Sequence, residues 1–127
     1  MFEVGVAAGF EAVHRLEDEA TPGEHQHDHA YRVEVSVRGD GLDDNGMLLD
    51  IDRLSAALSA CLADLASADL DALPAFRGQP TTVEILADHI WGHVRQELAT
   101  PSGLRTLRVT VFESPDAWAS VDKAIEA

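Results

Sequence analysis

Apolar residues recur at every second position in two stretches near the start of the chain: Phe2, Val4, Val6, Ala8 and Phe10, then Tyr31, Val33, Val35 and Val37. A period of two places alternate side chains on one face of a strand, so the pattern predicts strands over 2–10 and 29–38. Leu54, Leu58, Cys61, Leu62 and Leu65 recur instead at helical spacing and predict a helix over 51–65. Ile85, Leu86, Ile90, Val94 and Leu98 predict a second helix over 82–98. Thr81-x-x-Glu84 reads as a capping box at its start, and Pro101-Ser102-Gly103 stops it. Alternation returns with Leu107, Val109 and Val111, leading into Glu113, and a short last strand is expected around 117–121. The connections carry turn chemistry: Pro22-Gly23 in a loop over 15–28, Gly39-Asp40-Gly41, Asp43-Asp44-Asn45-Gly46, and an irregular stretch over 66–80 with Pro74, Gly78 and Pro80. The order is ββααββ. It predicts an α+β fold, an antiparallel four-stranded sheet with two helices on one face.

Length and charge narrow the picture. The chain has 127 residues, suited to one domain over 1–127, and its 46% hydrophobic content suits a folded core. No apolar run reaches the length of a membrane span, and no basic segment followed by an apolar one opens the chain, so a cytoplasmic protein is expected. Cys61, the single cysteine, falls on the apolar stripe of the first helix and reads as a small core residue. The net charge is −14, with 23 acids against 9 bases. That excludes nucleic acid as a partner, since binding it requires cations to displace phosphate counterions. It also makes the average surface poor at attracting a triphosphate. The acids are spread along the chain and read as a solubility feature.

Three histidines carry the candidate chemistry. His27 and His29 share the parity of the buried valines that follow them and stand about 6–7 Å apart along the strand. His14 follows the first alternating run. If the two strands pair, the three converge, and three protein ligands with an open fourth position suit a catalytic zinc. Glu113 shares the parity of Leu107, Val109 and Val111, so it points to the apolar side. A carboxylate there can accept two parallel hydrogen bonds from a guanidine-like ring edge. Other residues read more plainly. His89 and His93, at i, i+4, lie on a helix surface or interface, and Trp91 and Trp118 are core or subunit contacts. Asp69 and Asp71 are solvated loop acids.

Five segments resemble the 6-pyruvoyl tetrahydropterin synthase and 6-carboxytetrahydropterin synthase family, across almost the whole chain. Phe10-Glu11-Ala12-Val13-His14-Arg15-Leu16 is similar to F-x-A-A-H-R-L, and His27-Asp28-His29-Ala30-Tyr31 to H-G-H-N-Y. Gly46-Met47-Leu48-Leu49-Asp50-Ile51 is similar to G-M-V-x-D-F, Thr82-Val83-Glu84-Ile85-Leu86-Ala87 to P-T-S-E-N-L-A, and Val111-Phe112-Glu113-Ser114 to a late V-x-E-T. The resemblance implies the tunnelling fold, trimers stacked into a homo-hexamer, and active sites between subunits. It implies zinc on His14, His27 and His29, a pterin anchored by Glu113, and Thr82 near the ring.

The resemblance also breaks. The family's catalytic cysteine, four residues before the first histidine of H-G-H, is Gly23 here. Its catalytic Asp-His pair aligns with Ala66-Ser67. The expectation is a diverged homologue that binds a pterin or similar fused pyrimidine at subunit interfaces and lacks the classical synthase activity. The alternative is a zinc-dependent lyase converting dihydroneopterin, or its triphosphate, to 6-hydroxymethyldihydropterin. Glu24, three residues before His27, would then serve as the base, as in relatives with glutamate in place of the cysteine.

Overall fold

The computed structural model describes residues 1–15, 26–98 and 103–125, with the side chains of residues 14, 15 and 26–28 outside that description. The strands β1 (Phe2–Arg15) and β2 (Gln26–Gly39) come first, then the helices α1 (Ile51–Leu65) and α2 (Val83–Glu97), then β3 (Leu104–Ser114) and β4 (Ala117–Ala124). The strands form one antiparallel sheet in the order β1-β2-β3-β4, and both helices cover one face, as the ββααββ pattern predicts. Both early strands are longer than the apolar alternation suggests. Past Phe10 the buried positions continue through Ala12, but charged residues and histidines interrupt the pattern there.

The register puts Val6 opposite Val35, Val35 opposite Val109 and Val109 opposite Val121. Val33, Val35, Val37, Leu107, Val109 and Val111 are thereby buried on the helix side. Helix α1 packs on β1, and α2 packs on β3 and β4. Leu54, Leu58 and Leu65 from α1 meet Leu86, Ile90 and Val94 from α2 in the core. Each such side chain contributes about 1.5–3 kcal/mol by leaving water. Trp91 ties α2 to the sheet by donating its indole N–H to the Leu107 carbonyl at 2.7 Å. The Lys123 ammonium lies 4.8 Å over that indole and pairs with Asp88 at 2.8 Å. Cys61 is fully buried, and burial pushes its thiol up to about 12, which suits a core residue and not a nucleophile.

The helix starts are defined by short side chains. Asp50 caps α1 by accepting from the Asp52 amide at 2.9 Å. Helix α2 is capped by Thr82, which accepts from the Ile85 amide at 3.3 Å. This corrects the capping box read at Thr81 and Glu84. The helix begins one residue later, and Thr81 is instead buried at 1% exposure. Between α1 and α2, two short 3-10 turns, Leu70–Ala72 and Pro74–Phe76, bury Leu70 and Phe76 against the core. Two glycines answer specific demands. Gly46 has φ 79° in the turn closed by Asp43, whose carboxylate accepts from the Asn45 and Met47 amides. Gly39 lies against the Gly103 carbonyl, where any Cβ would collide. No helix among the described residues is long and apolar enough to cross a membrane.

Candidate functional site

The pairing of β2 with β3 ends at Arg32 opposite Phe112, while its pairing with β1 continues to Gln26 opposite Arg15. The far ends of β1 and β2 therefore project as a two-stranded ribbon beyond β3. The predicted zinc ligands lie on this ribbon: His14 is the register partner of His27, and Ala12 is the partner of His29. Backbone pairing thus brings the three histidine positions together, as the sequence pattern requires. The side chains of His14 and His27 lie outside the described residues, as does the whole of Glu24. Among the described side chains, no three of His, Cys, Asp or Glu are grouped to hold a metal. The donor set fits zinc by its chemistry, since neutral imidazoles are borderline ligands that suit it.

The segment after α1 docks on the free edge of β1. Its Ser67 amide donates to the Glu11 carbonyl at 2.6 Å, the Val13 amide donates to the Ala68 carbonyl at 2.9 Å, and Val13 and Asp69 form a parallel bridge. Ser67 takes φ 60°, the only left-handed non-glycine residue among those described, to turn the chain from the helix into this edge. Asp69 then accepts from the Asp71 amide at 3.2 Å and caps the first 3-10 turn. Asp71 in turn accepts from the buried Thr81 hydroxyl at 3.1 Å. Asp69 is half-buried and bridged to β1, which corrects its reading as a solvated loop acid; Asp71 is exposed, as that reading has it, with its carboxylate engaged by Thr81.

Tyr31 is the centre of the site. Its ring, 3% exposed, stacks on Phe10 with centroids 5.0 Å apart and on His29 at 5.8 Å. Burial, with the carboxylates of Glu113 and Asp71 adding to it, pushes the phenol up to about 12. Three elements thus converge here: β2 supplies Tyr31 and His29, β3 supplies Glu113, and the turn after α1 supplies Asp71. Glu113 lies at an irregularity where β3 pairs with β4 through Phe112–Trp118 and then Ser114–Ala117. Such a bulge re-aims a side chain. Glu113 is exposed and pairs with no cation among the described residues. Its parity is as predicted, but it stands past the helices' cover, so it borders the core without being buried in it. Thr82 is half-buried with its hydroxyl engaged in capping α2. On the sheet's other face, Ala30, Arg32, Phe112, Ser114 and Pro115 line a shallow cavity of about 350 Å³, with Trp118 exposed beside Phe112 at a ring separation of 5.6 Å.

His89 and His93 lie away from this centre. Both are half-buried, with rings 6.5 Å apart, and His89 packs on Phe76 at 4.9 Å. Burial, and then His93, hold the His89 imidazole below its usual range. Sequence reasoning missed Tyr31, Asp71 and Thr81 as site residues. Tyr31 carried a signal in its parity with His27 and His29. Asp71 carried none, because its place depends on how residues 66–69 dock.

The model of 6-pyruvoyl tetrahydropterin synthase matches residues 3–124. The chain belongs to the 6-pyruvoyl tetrahydropterin synthase family. It is 35% identical over 94 residues to the 6-pyruvoyl tetrahydrobiopterin synthase of Drosophila melanogaster, a match covering 72% of this chain and 54% of that protein. The matched region is thus about half the length of that relative. Among solved structures, the 6-pyruvoyl tetrahydropterin synthase of Caenorhabditis elegans superposes with a TM-score of 0.81 at 24% identity, covering 96% of this chain and 95% of the other. The Plasmodium falciparum synthase gives 0.81 at 19% identity, covering 98% of each. These structural likenesses carry the fold.

Proposed function

We propose that this chain binds a pterin, or a similar fused pyrimidine, at the end of its sheet, and that it does not perform the classical synthase reaction. The observation that carries the reading is the placement of Glu113: exposed, without a cation partner among the described residues, and beside Tyr31 at the mouth of the ribbon. A carboxylate in this position is matched by the adjacent N–H donors of an aminopyrimidinone edge. The loss of the synthase reaction is read from Gly23, Ala66 and Ser67, none of which can act as an effective base where the family resemblance implies Cys, Asp and His. Zinc would be held by His14, His27 and His29 and would lower the pKa of a ligated hydroxyl or water. A homo-hexamer built as a dimer of trimers would complete the pocket between subunits.

A second reading is favoured by two likenesses. The Drosophila relative is named as a synthase, and the fold neighbours include Plasmodium vivax synthases in which a catalytic glutamate is replaced by alanine or cysteine. A catalytic glutamate is therefore compatible with this fold. In that reading Glu24 removes a proton from the side chain of a bound dihydropterin, making the chain a zinc-dependent lyase.

One experiment separates the two. The protein is incubated with dihydroneopterin and, separately, with its triphosphate, with and without zinc, while binding is followed by fluorescence and products by mass spectrometry. Binding without product supports the first reading. A zinc-dependent product that Glu24→Gln abolishes supports the second. Absence of binding, or binding that Glu113→Ala leaves intact, sinks both.

A further inference from the structure

Two histidines on α2 take no part in the site at the end of the sheet. His89 and His93 stand four residues apart, which on a helix puts them on neighbouring turns of one face. Their ring centroids are 6.5 Å apart, with 49° between the ring planes. The His89 ring packs on Phe76 at 4.9 Å, and both histidines are half-buried. Neither belongs to the buried stripe of α2, which is Leu86, Ala87, Ile90 and Val94. The pair therefore borders the core and keeps access to solvent.

The pair has the makings of a metal chelate. Imidazole nitrogen is a donor that suits zinc, nickel and copper. The helix backbone fixes the spacing, so the two rings are neighbours before any ion arrives. With Zn–N bonds of about 2.0–2.1 Å, two rings on one ion stand with centroids about 5–6 Å apart, so this pair needs to close by only about 1 Å. The state of His93 supplies an independent observation. Its Nδ1 is shielded from solvent and has no hydrogen-bond partner among the described residues. Polar atoms so placed in folded proteins are almost always partnered, and here no hydrogen bond from Nδ1 locks the ring against turning toward His89. The carboxylates of the same helix do not complete the set. Asp88 is committed to Lys123 at 2.8 Å, and Glu97, one turn beyond His93, is exposed. Among the described residues no third His, Cys, Asp or Glu is grouped with the pair.

We propose that His89 and His93 chelate one divalent transition-metal ion of the zinc, nickel and copper class, with water completing its coordination. The site is separate from the ribbon histidines and does not rest on the pterin reading. The ion bridges two turns of α2, so it binds the folded helix in preference to the unfolded chain, and its binding adds to the stability of the fold. Magnesium and calcium, which take oxygen ligands, are not held there.

The test follows the imidazole signals of the metal-free, full-length protein by NMR as zinc is added. The His89 and His93 signals are expected to shift together along one saturation curve, and excess magnesium should not reverse the shifts. Loss of a partner that only orients a ligand already costs a metal site about 10–100-fold, so His93→Gln should weaken the zinc response of His89 by about tenfold or more. Any response of the ribbon histidines should be the same in both proteins. The inference is overturned if the wild-type His89 and His93 signals stay in place in a large excess of zinc, a result that needs no variant. Separate saturation curves for the two rings, or a His89 response that survives His93→Gln unchanged, would mean that each ring binds alone and would overturn the chelate. Shifts confined to the ribbon histidines remove this site and leave the pterin reading untouched.

Discussion

Thr81 offers the sharpest check on how this site is held. It is the polar side chain fully buried among the described residues, and its hydroxyl is committed to Asp71 at 3.1 Å. Thr81→Val keeps the shape and removes the hydroxyl, so no cavity opens. The loss is one hydrogen bond to a charged acceptor, worth about 1.5–3 kcal/mol. The gain is relief from burying a hydroxyl, which costs about 1–3 kcal/mol when judged from protein substitutions. Asp71 is exposed, so water can take the place of the hydroxyl at its carboxylate. The two terms nearly offset, and the net destabilisation should be about 1 kcal/mol or less, a fall in Tm of roughly 2–6 °C at most for a domain this size. Thr81→Ala also deletes a buried methyl and should cost about 1 kcal/mol more. Urea unfolding at neutral pH measures both, with the midpoint shifting and the slope unchanged. A cycle with Asp71→Asn should return a coupling of about 0.5–1.5 kcal/mol. A loss beyond about 3 kcal/mol in Thr81→Val would mean that Asp71 is cut off from water, and zero coupling would mean that Thr81 does not hold it. Either result refutes the argument.

Three further outcomes follow from the same geometry. Thr82→Ala should lose the cap of α2 and about 1 kcal/mol of stability, while Glu84→Ala should cost only a few tenths; comparable losses at Thr81 and Glu84 in urea unfolding would restore the capping box instead. Gly39→Ala should lower stability by about 1–3 kcal/mol, because the new Cβ meets the Gly103 carbonyl and the Leu48 side chain, and a midpoint equal to wild type would show that the loop yields freely. His89 is held below its ordinary value of 6.5, so in acid the unfolded chain takes up a proton before the folded one does. Its contribution to stability is complete above about pH 6.5 and is lost as pH falls through the lowered folded value. Unfolding midpoints compared across about pH 8 to 5 should fall less steeply in His89→Gln than in wild type, and parallel curves would contradict the assignment.

The fold was legible where a single periodicity ran without interruption. Leu54, Leu58, Cys61, Leu62 and Leu65 place α1 at Ile51–Leu65, the same bounds the spacing predicts. The strands were legible only to Phe10 and back to His29. Beyond those points β1 and β2 are held by their mutual pairing, and the residue types no longer alternate by polarity. The start of α2 was misread by one residue because Thr81 and Thr82 are equally good caps in isolation. What separates them is tertiary: Asp71 claims the Thr81 hydroxyl, and that leaves Thr82 to close the helix.

Asp71 was illegible for a related reason, and it shows where pattern reading ends. Nothing between Leu65 and Leu70 has a period, so nothing signals that Ser67 turns left-handed and that residues 67–69 add to the edge of β1. That docking covers an edge that would otherwise offer unpaired backbone groups to another chain, which is reason enough for it to exist. It also decides the electrostatics of the site, because the next residues, Asp69 and Asp71, are carried to the ribbon with it. The parity of Glu113 foretold one carboxylate beside Tyr31. The second arrives only through the edge, so the charge around the Tyr31 phenol is set by two elements, a strand whose parity is legible and a turn whose docking is not.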